Sequence, residues 1–314
     1  MRIIITGGTG LIGRALANSM AQDEHDVIVL SRSPRLAEGL HNKVRVEGWD
    51  AKSARGWGGL ANGADAIVNL AASNIAGESF FPARWTDDRK QTMLESRLNS
   101  GRAVIEAIEQ ASVKPKVVIQ PSASGYYGVR PKGELTEEAP AGSDFLAKIA
   151  QQWEASTEAA EGMGLRRPVI RMGVVLSREA GALPRLELPF KLFVGGPMGS
   201  GKQPMPWIHL DDVIGAIRFL LRHQTATGPF NLTAPNPVTN AEFSRKLGEV
   251  MGRPSLIPVP GFALSTMFGE VSQVVLDGQW IVPARLLELG YEFKFTRVED
   301  ALADLYGKKQ AAHH

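Results

Sequence analysis

The 314-residue chain contains no cysteine, which excludes disulfides, thiolate catalysis and cysteine-bound zinc and suits a reducing compartment. Charge of either sign is not in excess: 35 Lys and Arg against 33 Asp and Glu leave a formal net charge of +2. With no basic run and no alternation of basic and aromatic residues, neither nucleic acid nor an anionic membrane surface is an expected partner. No apolar run reaches the length of a membrane span, and the first strand begins at Arg2 with no space before it for a signal peptide. These absences lead to the expectation of a soluble, cytoplasmic protein without a membrane partner.

What is present is a 44% hydrophobic content, enough for one large domain with an appendage or for two modest ones. The chain opens Arg2-Ile3-Ile4-Ile5-Thr6-Gly7-Gly8-Thr9-Gly10-Leu11-Ile12-Gly13, an apolar strand joined to a helix by three glycines spaced G-x-x-G-x-x-G. Gly7 allows the tight turn, Gly10 has no side chain to hold a pyrophosphate off the backbone, and Gly13 lets the helix press on the strand. The helix start offers free N–H groups and the positive end of its dipole. A strand before, an amphipathic helix after and a second strand at Asp26–Ser31 give this turn the context of a dinucleotide site. At the end of that second strand an NAD site usually carries an acid for the ribose 2′-hydroxyl. Here the chain reads Ser31-Arg32-Ser33-Pro34-Arg35. Ser31 can donate to a 2′-phosphate and Arg32 can pair with it, so NADP is the expected cofactor.

From residue 1 to 176, β-branched runs at 2–6, 26–31, 44–47, 65–70, 116–121 and 167–172 alternate with helical stretches, among them Thr86–Gln110 and Asp144–Gly162. That alternation predicts an α/β fold, a Rossmann-type doubly wound parallel sheet. From 177 to 314 the texture turns to Gly- and Pro-rich loops broken by helices near 211–223, 262–276 and 298–306, by a strand around 230–233 and by a helix opened by the capping box Thr239-Asn240-Ala241-Glu242, with no second glycine fingerprint. This half is expected as a smaller substrate-side region packed on the first.

The motifs TGGTGLIG at 6–13, LSR at 30–32, VNLAA at 68–72, ESR at 95–97, SGYYG at 124–128, RMGVVLS at 171–177, WIHLDD at 207–212 and GQWIVPARLLELGYEF at 278–293 together resemble the extended short-chain dehydrogenase/reductase superfamily. Within it they are similar to the atypical epimerase family proteins related to NAD-dependent epimerase/dehydratases. The resemblance implies an NADP-binding Rossmann domain with a small C-terminal domain closing over the nicotinamide, and it extends the expected cofactor contacts to Thr9, Leu11 and Ile12 of the turn and to Leu70 and Ala71. One departure stands out. Ordinary members carry Tyr-x-x-x-Lys on the helix after the fifth strand, the tyrosine moving a proton and the lysine lowering its pKa. None of the four tyrosines here, at 126, 127, 291 and 306, has a lysine four residues on.

Candidate chemistry is then read from what remains. Ser122 and Ser124 end the fifth strand, at the edge where open α/β sheets bind ligands, and either could hold a substrate carbonyl or hydroxyl. Tyr127, or Tyr126 beside it, could replace the missing acid. Arg97 falls on the apolar stripe of its helix, so it needs an anion, either a cofactor phosphate or a carboxylate. Arg171 in the sixth strand invites the same two readings. Residues 196–202 match G-x-x-x-x-G-K, but Gln203, Pro204 and Pro206 follow where a magnesium-binding hydroxyl and a helix are required, so this is a loop and not a triphosphate site. His209 with Asp211 and Asp212 lacks a second histidine at ligand spacing, so no metal is expected, and one of the two acids is expected to cap the next helix. The resulting expectation is an NADP-dependent oxidoreductase or nucleotide-sugar-epimerase-like enzyme acting on a small polar molecule, with a homodimer allowed for. The lost Tyr–Lys pair keeps a non-catalytic NADPH-binding regulatory protein as the alternative.

Overall fold

The computed structural model describes residues 1–77, 79 and 81–307. Seven strands form one all-parallel sheet: β1 (Arg2–Thr6), β2 (Asp26–Ser31), β3 (Arg45–Gly48), β4 (Ala66–Asn69), β5 (Val117–Ala123), β7 (Pro168–Met172) and β11 (Gly228–Leu232). Their spatial order is β3-β2-β1-β4-β5-β7-β11, so the winding reverses between β1 and β4 and opens a crevice at their carboxyl ends. Three short pairs lie outside it: β6 (Arg130–Leu135) with β13 (Gln279–Ile281), β8 (Val174–Leu176) with β10 (Trp207–His209), and β9 (Pro204–Met205) with β12 (Val238–Thr239).

The strands are apolar on both sides because both faces are covered. Ile3, Ile5, Val27, Val29, Val68 and Phe230 point to one face, which packs on α1 (Leu11–Gln22) and α6 (Leu210–Arg222). Ile4, Ile28, Ile67 and Val118, at the alternate positions, point to the other, which packs on α2 (Asp87–Gln110). The helix α3 (Phe145–Ala155) lies beside α2 so closely that a Cβ added at Gly101 would fall 2.1 Å from the Ser156 hydroxyl. The single helix expected over Asp144–Gly162 is two, since Ser156 closes α3 and α4 (Ala159–Gly162) follows.

After Ser177 the chain builds a third core, in which Phe190, Trp207, Phe243, Leu247, Phe295 and Leu302 are buried among α5 (Leu183–Lys191), α7 (Asn240–Met251) and α11 (Val298–Leu305). It also rejoins the main sheet through α6 and β11. The expected helix over 262–276 divides into α8 (Gly261–Phe268), a 3₁₀ turn and α9 (Gln273–Leu276), and α10 (Ala284–Glu288) follows. No described helix is long and apolar enough to cross a membrane.

Neither acid caps α6 as expected; His209 does, its Nδ1 accepting the Asp211 amide at 3.1 Å. Asp212 instead turns back to accept the amides of Lys294 and Phe295 at 2.7 and 3.0 Å, joining α6 to the third core. His209 is buried, its ring centroid 4.2 Å from that of Phe295, and its Nε2 has no hydrogen-bond partner among the described residues although the Asp304 carboxylate lies 3.6 Å away. Burial holds its pKa below the ordinary 6.5 against the opposing pull of Asp211 and Asp304. The unfolded chain then takes up the proton first, so this stability is complete above about pH 6.5 and is lost as the pH falls below it, by up to about 1.4 kcal/mol per unit. His25, also depressed by burial, adds in the same sense. Denaturant unfolding of His209→Asn, which keeps an acceptor for the helix end, should show a shallower loss between about pH 6.5 and 5; an unchanged slope would exclude His209 as its source.

Candidate functional site

The crevice is built from the first turn outward. Gly7 has φ +64°, and a Cβ there would lie 2.7 Å from the Leu70 carbonyl carbon and 2.8 Å from the Ala71 nitrogen. The exit of β1 therefore passes directly against the exit of β4, where only glycine fits. Thr6 fixes that approach: its hydroxyl donates to Asn69 Oδ1 at 2.8 Å and accepts the Ala71 amide at 3.1 Å, while its carbonyl accepts the Leu70 amide at 3.2 Å. A Cβ at Gly13 would sit 2.4 Å from the Gly7 carbonyl oxygen, so α1 is seated directly on the turn. Capping side chains hold the starts of α2 (Thr86), α3 (Asp144) and α7 (Thr239), but α1 has none and no acid in its first turn. Thr9, Gly10, Leu11 and Ile12 thus surround a helix end whose N–H groups are free for an anion. The glycine cradle fits a dinucleotide pyrophosphate.

At the end of β2, Ser31 is buried, and its Oγ accepts the Ser33 amide at 3.1 Å while keeping its own hydrogen to donate. Arg32 is exposed and makes no ion pair among the described residues. Residues 31–35 include no Asp or Glu.

The carboxyl ends of β5, β7 and β11 hold a buried polar network. Arg171 grips Glu154 of α3 with Nε–Oε1 2.9 Å and Nη2–Oε2 3.0 Å, and its Nη1 donates to the Tyr127 hydroxyl at 3.1 Å and the Glu137 carbonyl at 3.2 Å. Desolvation would lower the Arg171 pKa, but its hydrogen bonds and charge pairing with Glu154 hold it above the ordinary value. Ser122 donates to the same Glu154 Oε1 at 2.6 Å, and Tyr127, fully buried, donates to Asn231 Oδ1 at 2.7 Å. Burial also raises the pKa of the Tyr127 phenol. Ser122 and Tyr127 are therefore enclosed within this network, and Arg171 takes the carboxylate reading instead of the cofactor one. Breaking such a buried pair by removing one partner typically costs about 3–5 kcal/mol.

Ser124 and Tyr126 stay outside the network. Both are half-buried in the 3₁₀ turn Ser124–Tyr127, and neither hydroxyl has a hydrogen-bond partner among the described residues. Tyr126 is held by its faces, with the Arg171 guanidinium 3.4 Å from its ring centroid and Tyr127 edge-on at 5.3 Å. On α3 there is no tyrosine and Lys148 is exposed, so that helix offers no Tyr–Lys pair. Glu154 was not anticipated from sequence. The signal for it was Arg171 itself, a strand arginine that had to find an anion on the covering helix.

Arg97 is 7% exposed, as its place on the apolar stripe requires, yet it has no carboxylate partner among the described residues. Its Nη1 donates to the carbonyls of Met93 at 2.9 Å and Ser73 at 3.2 Å, and its guanidinium lies 4.7 Å from the Trp153 ring centroid. Desolvation lowers its pKa to about 10, so it remains charged at neutral pH. A buried, charged guanidinium thus stands below the backbone that follows β4, two residues beyond Ala71.

A fold of this topology with a glycine cradle at the β1–β4 crossover defines a dinucleotide-binding α/β protein. The chain belongs to the NAD dependent epimerase/dehydratase family, whose model matches residues 3–233, and a domain of unknown function (DUF1731) matches 259–305. It is 38% identical to the "Epimerase family protein SDR39U1 homolog, chloroplastic" of Arabidopsis thaliana over 96% of this chain and 86% of that protein. It is 37% identical to the "Epimerase family protein YfhF" of Bacillus subtilis over 99% of both. Among solved structures, human epimerase family protein SDR39U1 (isoform 2) with NADPH superposes with a TM-score of 0.88 at 34% identity, covering 98% of this chain and all of that one. The Thermotoga maritima UDP-glucose 4-epimerase with UDP-glucose, at 17% identity, shares the fold with a TM-score of 0.79 over 98% of both chains.

If Arg97 serves the cofactor, Arg97→Leu should leave the free protein nearly as stable as wild type, because leucine suits the stripe and removes a buried charge. NADPH at a hundredfold excess over Kd should stabilise wild type by about 2.7 kcal/mol, read as a rise in Tm, and that rise should shrink markedly in the variant. A variant several kcal/mol less stable with its NADPH-induced rise intact would make Arg97 a purely structural residue.

Proposed function

We propose that this protein is an NADP-dependent oxidoreductase, or an epimerase-like relative that oxidises and re-reduces its substrate. The observation that carries this reading is the glycine cradle at the β1–β4 crossover together with the end of β2, which has no acid in residues 31–35, where Ser31 retains a donor and Arg32 is exposed with no ion pair among the described residues. An acid there would repel a 2′-phosphate; an arginine fork pairs with it. The homologue crystallised with NADPH supports the same choice. In this reading the backbone N–H groups of Thr9–Ile12 hold the pyrophosphate, Leu70 and Ala71 floor the crevice, and Arg97 places a positive charge beneath its inner end. The bound cofactor supplies or accepts a hydride. Reduction of a carbonyl adds that hydride to carbon and one proton to oxygen. Ser124 and Tyr126 are the groups left to hold that oxygen, since Ser122 and Tyr127 are enclosed. Much of residues 177–307 then forms the substrate-side wall. The second reading, a non-catalytic NADPH-binding regulator, is favoured by α3, which has no tyrosine and an exposed Lys148.

Calorimetry should give NADPH at least tenfold tighter binding than NADH, about 1.4 kcal/mol, with the preference lost in Arg32→Ala; equal affinities would overturn the cofactor assignment. In the same preparation, NADPH consumed with carbonyl compounds and slowed at least tenfold by Ser124→Ala supports the enzyme. Tight NADPH binding without turnover of any carbonyl would leave the regulator.

A further inference from the structure

Away from the crevice, exposed apolar side chains gather where α5 and α7 end. Leu192, Phe193 and Val194 follow α5, Leu256 and Ile257 follow α7, and all five are exposed, Phe193 by 58% and Leu256 by 79%. The two segments touch: the amides of Leu256 and Ile257 both donate to the Gly195 carbonyl, at 3.0 and 3.1 Å, and a Cβ on Gly196 would lie 2.1 Å from the Ile257 carbonyl oxygen. They form one apolar tip, a feature that marks an interaction surface. Phe193 has φ +62°, in the left-handed region where a bulky residue is an outlier and where a helix end usually carries glycine. The chain holds an aromatic ring outward at a position where glycine would cost less, and strain of this kind gathers where a side chain is used.

The tip has already spent its backbone donors. The amides of Leu192, Phe193 and Val194 go to the carbonyls of Leu188, Phe190 and Pro189 at 3.1, 3.0 and 2.9 Å, those of Leu256 and Ile257 go to Gly195, and the neighbouring Pro254 and Pro258 have no N–H. These residues can leave water for an apolar medium without stranding an amide N–H. Charge around the tip is of one sign. Neither 188–210 nor 250–269 contains an Asp or Glu. Lys191 keeps 53% of its side chain exposed while pairing with Glu187, and the Arg253 guanidinium lies 4.3 Å from the Phe193 ring centroid with no carboxylate partner among the described residues. Two copies of the chain meeting through this face would set these cations against one another with no acid of the tip to receive them. A negatively charged headgroup layer over hydrocarbon receives both the cations and the apolar side chains.

We infer that this tip attaches the protein to an anionic lipid surface, with Phe193, Val194, Leu256 and Ile257 entering the boundary between headgroups and acyl chains and Lys191 and Arg253 meeting the headgroup anions. This replaces the expectation that an anionic membrane is not a partner. That expectation rested on the lack of a basic run, whereas the two segments come together only in the fold. The inference is independent of the cofactor reading.

The test sediments the full chain with vesicles of phosphatidylcholine alone and of phosphatidylcholine mixed with phosphatidylglycerol. Binding to the mixed vesicles should be about tenfold tighter than to the neutral ones and should weaken as salt is raised. Phe193→Gly suits the left-handed backbone, so it should unfold no lower than wild type and yet bind the mixed vesicles about tenfold more weakly. Leu256→Asp should weaken binding at least as much, whereas Val113→Asp, at an exposed apolar residue outside both segments, should bind as wild type does. No binding to the mixed vesicles, equal binding to the two compositions, or binding unchanged in both Phe193→Gly and Leu256→Asp overturns the inference. A dimer that Phe193→Gly dissociates also overturns it and makes the tip an interface between copies of the chain.

Discussion

The approach of Gly7 to the Leu70–Ala71 backbone is the constraint on which the rest depends. A side chain at Gly7 would overlap that backbone, and Thr6 spends its hydroxyl and its carbonyl holding the two strand ends together. Because the chain winds from β1 toward β2 on one side of this point and from β4 toward β5 on the other, a crevice opens above it. The uncapped start of α1 faces one side of that crevice.

A second rigid element closes the far side. Arg171 and Glu154 tie β7 to α3, and Tyr127, Asn231 and Ser122 extend that tie to β11 and β5. With its polar groups mutually satisfied, this block acts as a frame that presents the turn bearing Ser124 and Tyr126. The site therefore divides into a satisfied interior and a few unsatisfied groups at its surface: Ser124, Tyr126 and Arg32, with Arg97 buried beneath.

The glycine spacing, the alternation of β-branched runs with helical stretches over residues 1–176 and the position of Arg97 were legible in the sequence because each is a local pattern with one physical solution. The partner of Arg171 was not, since a sequence shows that an arginine needs an anion without showing which helix brings one. For the same reason Ser122 and Ser124, identical in type and two residues apart, could not be told apart: two such residues would share a strand face, but β5 ends at Ala123 and Ser124 begins a 3₁₀ turn, so only the Ser122 hydroxyl meets Glu154. A strand around 230–233 was legible, but its return to the parallel sheet as β11 was hidden by the 51 residues of loops, helices and two short strands from 177 to 227. His209 took the capping place expected of an acid because Asp212 was drawn into the third core.

The most direct measurement is the affinity of Gly10→Val for NADPH. Gly10 is exposed and its φ of −76° is open to any residue, while a Cβ there would lie 3.3 Å from the Gly7 carbonyl oxygen, a close contact that the turn must relax by a few tenths of an ångström. The valine methyl groups would occupy the phosphate side of the turn. The account predicts a protein that unfolds within a few degrees of wild type and binds NADPH at least a hundredfold more weakly, about 2.7 kcal/mol. Wild-type affinity in the folded variant would place the cofactor elsewhere and contradict the central claim.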